Sequence, residues 1–381
     1  MEPFDAAWRA EREALQEQAL PGGSVTLSCS APFAAGGLGR HTQELWSALG
    51  RAGAQRRLLC GPSAEHRGVT PPADRVEIRP GRLAGLAERA LAPSPALTTW
   101  ASAREFDRAA RRRIGQGEHL LAFNGQALAQ LRAAPAAGYR TASLVSANAH
   151  MRQVAERHRM ARRAHPLERP WGPRVLGRNL AEYELADSIL VATDYIRESF
   201  LDAGTPAERL RLFPLTPDPR YRSATAGARR KHRDARSGSP RFEVLYVGSL
   251  SVLKGVPLLV DAVRSLDAPE LRLVLFGGWA SRGMRRFLTA ACAADPRIVV
   301  RHGDPLEQLL AADLYVHPSY EDGFAYSPCE ALAAGVPLIV TEDTGMKELI
   351  AHGHGVTVPT GDGAALAEAI QAAYLREILS F

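Results

Sequence analysis

The sequence has few cysteines, few lysines and no long apolar run. Its four cysteines show no C-x-x-C or other metal-ligand spacing, which argues against a disulfide scaffold and a zinc site. No stretch approaches the ~18 consecutive apolar residues of a membrane span. The first twenty residues include Glu2, Glu11, Glu13 and Glu17 rather than a basic head and an apolar run, unlike a signal peptide. We therefore expect a soluble protein of the reducing cytoplasm.

The length and composition of the chain predict two globular domains. Its 381 residues are 46% hydrophobic and 23% charged, and domains average about 150 residues. The formal net charge is +6, a mild excess that suits an anionic ligand or surface without specifying one. Aromatic residues make up only 7% and do not interleave with the basic run at 152–165, which argues against nucleic-acid binding.

Short apolar runs alternate with amphipathic segments of helical length, which is typical of β-α-β units and of parallel sheets covered on both faces. In the first half the predicted strands are residues 25–29, 57–60, 119–123, 141–146, 188–192 and 210–213. In the second half they are residues 242–247, 271–276, 298–301, 314–317, 338–341 and 356–359. The pattern predicts an α/β protein with two sheets.

The domain boundaries follow from a gap in this pattern. Residues 217–240 are rich in proline, serine and basic side chains, which is typical of a linker. We predict a first domain at residues 1–216, which includes an N-terminal helix at 3–20, and a second domain at 241–381. Open parallel sheets bind ligands at the carboxyl ends of their strands, so we expect a cleft there.

The first candidate site is the glycine-rich loop at Ala34–Arg40, between a strand and a helix. Gly37 and its neighbours would let backbone N–H groups approach a phosphate or a sugar at the positive end of that helix. A plain tight turn is the alternative. The dinucleotide pattern G-x-G-x-x-G fits poorly, and no acidic residue follows the second strand at Leu59–Gly61, which argues against a nicotinamide dehydrogenase.

The second candidate is the loop Gly248–Gly255, which follows the predicted strand 242–247. Its Lys254 is placed to reach a diphosphate as a flexible point charge. An ordinary surface lysine is the alternative, although lysine occurs otherwise only at Lys231 and Lys347.

The third candidate is the segment 320–337, which follows the predicted strand 314–317. Ser327 is a favourable N-cap and Pro328 a favourable first helical residue, so we expect Glu330 in the first turn. Asp322 and Glu330 are eight positions apart and could bind sugar hydroxyls on one side and a ribose diol on the other. Alternatively, Glu330 only complements the helix dipole.

Together these motifs resemble the family 4 retaining glycosyltransferases. The similarity to their carboxyl-terminal domain lies in Lys254, in residues 322–337, and in residues 341–345 before Glu348. Residues 32–40 and 182–200 are similar to their amino-terminal domain. The resemblance covers roughly residues 24–375 and implies the GT-B architecture, in which two Rossmann-like domains face each other across a cleft.

The resemblance implies a nucleotide-sugar donor, with Lys254 on its diphosphate and Glu330 on its ribose. The family's E-x7-E signature has Asp322 at its first position, where a glutamate usually contacts the donor sugar, although Glu321 stands one residue earlier. Many members have an arginine where this chain has Ser249, and Arg40 or Arg282 could replace it. The donor-binding residues are then predicted to be Gly37, Ser249, Lys254, Phe324, Ala325, Tyr326, Ser327 and Glu330.

The same resemblance predicts His150, Asp322 and Glu330 as catalytic residues. His150 follows the predicted strand 141–146, and we expect it to hydrogen-bond the transferring sugar rather than act as a strong base. A satisfied loop histidine is the alternative. The family implies transfer with retention of anomeric configuration. The sequence has no Asp-x-Asp pair or histidine cluster, so we expect neither a metal nor another cofactor.

The acceptor and the outcome of donor binding stay open. A glycan, a lipid-linked intermediate and a small metabolite are all compatible acceptors. A basic segment at 152–165 could bind an anionic acceptor or a phospholipid surface at the membrane periphery, but a solvated helical face is the simpler interpretation. Ser249 and Asp322 also leave room for a non-catalytic nucleotide-sugar sensor or assembly partner. Epimerisation of a nucleotide-sugar and phosphorolysis are weaker alternatives.

Overall fold

The computed structural model describes residues 4–66, 68–79, 95–218, 221, 242–350 and 355–378. The chain divides into two compact units. We call Ala6–Ala155 with Trp171–Leu215 the first unit, and Met1–Asp5 with Glu156–Pro170 and Thr216–Phe381 the second unit. Each unit contains one parallel sheet.

The first unit contains a seven-stranded sheet with the order β3-β2-β1-β4-β5-β6-β7. The six predicted strands are present within two residues of their predicted ends. The additional strand β3 has only two residues, too few to show a pattern in the sequence. The strands are β1 (Ser24–Cys29), β2 (Gln55–Cys60), β3 (Val76–Glu77), β4 (His119–Phe123), β5 (Thr141–Ser146), β6 (Ile189–Val191) and β7 (Leu210–Leu212).

Helices pack around this sheet, whose central strands are almost wholly buried, as parallel strands covered on both faces are. Among the helices that the structure describes, none has the length and apolar character needed to cross a bilayer. The helices up to residue 202 are α1 (Ala6–Ala19), α2 (Gly36–Arg51), α3 (Pro95–Arg111), α4 (Leu128–Ala133), α5 (Met151–Ala164), α6 (Pro173–Leu185) and α7 (Asp194–Asp202).

The amino-terminal helix α1 packs against α2 and β7 of the first unit. The buried Gln16 side chain donates to the Pro214 carbonyl at 2.7 Å and accepts from Arg51 at 2.8 Å. Arg51 also lies 3.5 Å from Glu17. These contacts make α1 part of the packed structure of this unit.

The second unit contains a six-stranded parallel sheet with the order β10-β9-β8-β11-β12-β13. Its strands are β8 (Phe242–Val247), β9 (Leu271–Phe276), β10 (Ile298–Arg301), β11 (Leu314–His317), β12 (Leu338–Thr341) and β13 (Gly355–Val358). Its helices are α8 (Val256–Arg264), α9 (Arg282–Ala294), α10 (Leu306–Ala311), α11 (Tyr326–Ala333), α12 (Lys347–Ile350) and α13 (Gly363–Ile378). The predicted α/β fold class with two parallel sheets is confirmed.

The segment Glu156–Pro170 differs from the predicted domain division. We placed it in the first domain, but it groups with the second unit. Ala161 lies in the core of that unit, and the Glu168 carboxylate accepts the Val252 N–H at 2.9 Å. Arg157 donates to Asp343 at 2.7 Å. The predicted linker at 217–240 lies almost entirely outside the described residues.

These contacts also account for part of the basic segment at 152–165. Besides Arg157, the Arg162 guanidinium donates to the Glu168 carbonyl at 2.5 Å. His165 lies 2.8 Å from Asp261. Several of its basic side chains therefore have internal partners in the second unit, which weakens the interpretation of this segment as an anion-binding surface.

Candidate functional site

The candidate site of the second unit lies where the strand order of its sheet reverses. Strands β8 and β11 are neighbours, with Leu314 opposite Val244 and Tyr315 opposite Leu245. The chain continues from β8 to β9 on one side of this pair and from β11 to β12 on the other side. This reversal of direction makes the pair a topological switch point. The loops that follow β8 and β11 therefore leave the same edge side by side, and they carry Lys254 and Asp322.

The loop after β8 is held by its own backbone and by the loop after β11. The Ser251 hydroxyl accepts the Lys254 N–H at 3.2 Å, and the Gly255 N–H donates to the Val252 carbonyl at 3.0 Å. Gly255 has a φ of +68°, and a Cβ added there would lie 1.9 Å from the Pro318 carbonyl oxygen. Only glycine fits this turn. The turn fixes the backbone position of the preceding residue, Lys254.

We expect Gly255→Ala to destabilise the second unit. The substitution combines a left-handed backbone with a clash against Pro318, and strain of this kind costs about 1–3 kcal/mol. Thermal unfolding measures the effect, with Gly278→Ala as the control because a Cβ at Gly278 meets nothing within 4 Å. Equal melting temperatures for the two variants would contradict this account of the turn.

The side chains of Lys254 and Asp322 meet at this edge. Lys254 Nζ lies 2.7 Å from Asp322 Oδ2 and donates to the Glu321 carbonyl at 3.1 Å. His317 Nε2 lies 3.2 Å from the same carboxylate oxygen. Burial acts to raise the pKa of Asp322, but the Lys254 charge and the His317 hydrogen bond outweigh it and hold this pKa below its usual range. Asp322 is therefore ionised at neutral pH.

The helix after this loop begins earlier than predicted. Helix α11 begins at Tyr326 with Ala325 as its N-cap and without a side-chain cap, so the prediction of Ser327 as N-cap is wrong. The Ser327 hydroxyl instead donates to the Val247 carbonyl and accepts from the Tyr315 hydroxyl, each at 2.8 Å. These bonds tie the first turn of α11 to the end of β8.

Glu330 consequently lies in the second turn of α11 rather than the first. The effect of a helix dipole fades beyond the first turn, so the interpretation of Glu330 as a dipole partner loses its basis. Glu330 is buried at 3% exposure. Burial, together with the nearby Glu330 and Asp322 charges, raises the pKa of Tyr315 above its usual value. Both acidic side chains therefore lie near the end of β11.

The other predicted donor-binding residues are distributed around the same loops. Ser249 is exposed, and its carbonyl accepts the Tyr246 hydroxyl at 2.9 Å. The rings of Phe324 and Tyr326 pack edge to face, 5.2 Å apart. Arg282, a candidate to replace the missing arginine, is the first residue of α9.

The glycine-rich loop of the first unit leads directly into α2, which begins at Gly36. A Cβ added at Gly39 would lie 2.1 Å from the Pro32 carbonyl, whereas a Cβ at Gly37 would meet nothing within 4 Å. The tight turn thus requires Gly39, and Gly37 faces open space. Helix α2 has no side-chain cap, so its amino-terminal N–H groups suit an anion or a polar group.

His150 directly precedes α5 in the first unit, after the end of β5. Its Nδ1 accepts the Arg152 N–H at 3.4 Å, and its ring packs against Tyr183 and Phe200 at 4.9 Å and 5.1 Å. Burial, with a contribution from the Arg152 charge, lowers the pKa of His150 to about 4. The ring is neutral near pH 7 and carries its proton on Nε2, which makes His150 a hydrogen-bond donor.

Sequence reasoning missed two residues that organise these sites. His317 was only the last residue of a predicted strand, yet it contacts the Asp322 carboxylate. Glu182 is wholly buried and accepts the N–H groups of Ala127 and Leu128 at 2.9 Å and 3.0 Å, which fixes the loop after β4. His317 could have been noticed as a polar residue at the end of an apolar strand. The sequence gave no such signal for Glu182, because the backbone groups that it binds are more than fifty positions away.

Comparisons with known proteins agree with this architecture. Residues 228–380 match the family of glycosyl transferases group 1. A D-inositol 3-phosphate glycosyltransferase of Streptomyces coelicolor is 31% identical over 211 residues, which cover 49% of this chain and 45% of that protein. The chain spans half or less of the length of the curated relatives it matches.

Solved structures share the fold over almost the whole chain. Sucrose-phosphate synthase from Thermosynechococcus elongatus has a TM-score of 0.69 at 19% identity, covering 93% of this chain and 90% of that one. The Anabaena protein HepE in complex with UDP-glucose has a TM-score of 0.65 at 16% identity, covering 93% and 91%. At such identities the likeness establishes the fold alone, and that fold is GT-B. Over residues 228–380, which are less than half of the chain, the sequence is similar to the glycosyl transferases group 1 family.

Proposed function

We propose that this protein is a glycosyltransferase that moves a sugar from a nucleotide-sugar to a hydroxyl acceptor, with retention of configuration and without a metal ion. The observation that carries the proposal is the pairing of Lys254 with the buried Asp322, 2.7 Å apart, at the switch point between β8 and β11. Open α/β sheets bind their ligands at this position. The family match supports the proposal, as does the UDP-glucose bound by the structurally similar HepE.

Each part of the donor has a candidate partner in the second unit. The Lys254 ammonium would bind the diphosphate, and the ionised Asp322 would accept hydrogen bonds from sugar hydroxyls. Glu330 would bind the ribose diol, and the backbone of Ala325–Ser327 at the start of α11 would face the phosphates. As the nucleoside diphosphate departs, negative charge grows where Lys254 and these N–H groups are already fixed, which lowers the barrier.

The role proposed for His150 in the first unit is that of a hydrogen-bond donor to the transferring sugar. Its neutral ring donates through Nε2, so it can hydrogen-bond a hydroxyl of the transferring sugar but is too weak a base to deprotonate the acceptor. That proton would pass instead to the departing diphosphate. Retention follows if acceptor attack and diphosphate departure occur on the same face of the sugar.

We expect His150→Ala to lower turnover by roughly tenfold or more, because donors aimed at a transition state are typically worth this much or more. The affinity for a nucleoside diphosphate should change little, since the diphosphate contacts lie elsewhere. Steady-state kinetics and nucleotide binding separate the two effects. His150→Gln, whose amide can still donate, should retain more activity than His150→Ala. Equal losses of turnover in both variants would indicate that His150 only accepts the Arg152 N–H at the start of α5.

The acceptor belongs to the proposal only as a class. Glycans, lipid-linked intermediates and small metabolites stay open, and several curated relatives bear the name D-inositol 3-phosphate glycosyltransferase. A cytoplasmic location, with contact to a membrane surface for a lipid-linked acceptor, stays a prediction.

The first experiment is a panel of nucleoside diphosphates and nucleotide-sugars tested for thermal stabilisation, followed by hydrolysis of each stabilising donor without acceptor. A donor that stabilises the protein and is slowly hydrolysed supports an active transferase. Stabilisation without turnover, persisting when candidate acceptors are supplied, would favour the non-catalytic sensor. No stabilisation by any nucleotide would contradict the proposed donor site.

A further inference from the structure

A second charged cavity lies in the first unit, away from the loops discussed so far. Its volume is about 340 Å³. Every residue that lines it belongs to helix α3, α4 or α6, and none belongs to the glycine-rich loop or to the segment before His150. Its charged lining residues are Arg104, Asp107, Arg108, Arg111, Arg132 and Arg178.

The floor of this cavity is a buried ion pair. Arg178 lies 2.6 Å from Asp107, and the side chain of Asp107 is only 1% exposed. The same carboxylate accepts the N–H groups of Ala129 and Gln130 at 2.7 Å and 3.1 Å. Asp107 is therefore fixed on the start of α4 and on Arg178, and it cannot turn towards the rim.

The rim consists of four exposed arginines. Arg104, Arg108 and Arg111 are four and then three residues apart on α3, so they share one face of the helix, and Arg132 joins them from α4. Within the described part of the chain, no carboxylate forms an ion pair with any of the four. Like charges at this helical spacing repel one another, and a bound anion would relieve that repulsion.

We propose that this cavity, called here the arginine pocket, binds a phosphate group, either of a soluble phosphorylated compound or of a phospholipid headgroup. Guanidinium groups match phosphate oxygens with paired N–H donors. The volume lies at the lower end of small-molecule sites, and no aromatic residue lines the pocket to stack on a nucleobase. The ligand is therefore a compact phosphorylated group, distinct from the nucleotide-sugar of the second unit.

Inorganic pyrophosphate is the probe, titrated by calorimetry into full-length Lys254→Ala protein, because Lys254 is itself proposed to bind a diphosphate. We expect this protein to bind pyrophosphate, and the added pair Arg108→Gln/Arg132→Gln to weaken binding at least tenfold. The added pair Arg285→Gln/Arg286→Gln removes the same charge from exposed positions on α9 of the other unit and should change little.

Two results would overturn the arginine pocket as a site. One is the absence of pyrophosphate binding in Lys254→Ala protein. The other is an equal loss in the two double variants, which would show a diffuse charge effect. Because all four substituted arginines are exposed, each variant should fold, and circular dichroism checks this. Neither result bears on the donor site, whose test is nucleotide binding by the wild-type protein.

Co-sedimentation with vesicles of 70% phosphatidylcholine and 30% phosphatidylglycerol distinguishes the two sources of phosphate. Vesicle binding that Arg108→Gln/Arg132→Gln abolishes and Arg285→Gln/Arg286→Gln preserves identifies a lipid headgroup. Pyrophosphate binding that depends on the pocket, without vesicle binding, identifies a soluble phosphorylated compound. Binding of vesicles by all variants alike, with no pocket-dependent pyrophosphate binding, would overturn the proposal.

Discussion

Replacing Lys254 with alanine should weaken the binding of a nucleoside diphosphate by roughly ten- to a hundredfold. A charge-assisted hydrogen bond to phosphate is typically worth about 1.5–3 kcal/mol, and 1.4 kcal/mol corresponds to a factor of ten. The nucleotide-sugar should lose affinity by the same factor, because both ligands carry the same diphosphate. Titration calorimetry with the free diphosphate measures the effect without depending on turnover.

A second consequence of Lys254→Ala is a change in stability. Among the described residues, the buried Asp322 would keep His317 alone beside its carboxylate, and an ionised group that loses its partner destabilises the fold. The melting temperature must therefore be recorded next to each affinity. Arg285→Ala, which removes an exposed positive charge on α9, serves as the control for net charge. An unchanged diphosphate affinity in Lys254→Ala would exclude this lysine as the phosphate contact.

Replacing Asp322 with asparagine should act in opposite directions on binding and on turnover. The carboxylate lies 2.7 Å from Lys254 Nζ and competes with any phosphate for the ammonium. Removing its charge should raise the affinity for the free diphosphate severalfold. Turnover should fall by about a hundredfold, the usual cost of losing one contact fixed for the transition state.

This opposition distinguishes a substrate-binding Asp322 from a purely structural one. A structural aspartate would lower diphosphate affinity together with activity, because the loop around Lys254 would lose its order. The informative measurement is the ratio of transfer rate to diphosphate affinity, compared with Asp322→Glu, which restores the family's usual residue at the first position of the motif. A parallel fall in both quantities for Asp322→Asn would contradict the proposed role.

Much of the fold was predictable because buried parallel strands are short apolar runs that the sequence shows directly. Strands such as β4, β8 and β11 begin and end at the predicted residues. The loops that carry Lys254 and Asp322 could be placed for the same reason, since each follows such a strand. Their meeting at one edge depends on strand order, which the resemblance to a known family implied.

The errors arose where a local rule competes with a distant contact. Ser327 satisfies every local preference for an N-cap, but its hydroxyl bonds to Tyr315, twelve positions earlier, and to Val247, eighty positions earlier. The carboxylate of Glu168 bonds to the backbone of Val252, and no spacing rule connects these positions. The prediction for His150, a hydrogen-bond partner rather than a strong base, was not an error of this kind, but the burial against aromatic rings that lowers its pKa could not be read from the sequence.

The placement of Glu156–Pro170 bears on how this chain can be recombined with a relative. A chimera that exchanges the first 216 residues for those of a relative would also replace Glu168 and Arg157, the partners of Val252 and Asp343. A graft that retains residues 156–170 with the recipient preserves both contacts. The first unit is thus discontinuous in the sequence, and exchanging it requires a crossover at each end of this short segment and a third near residue 215.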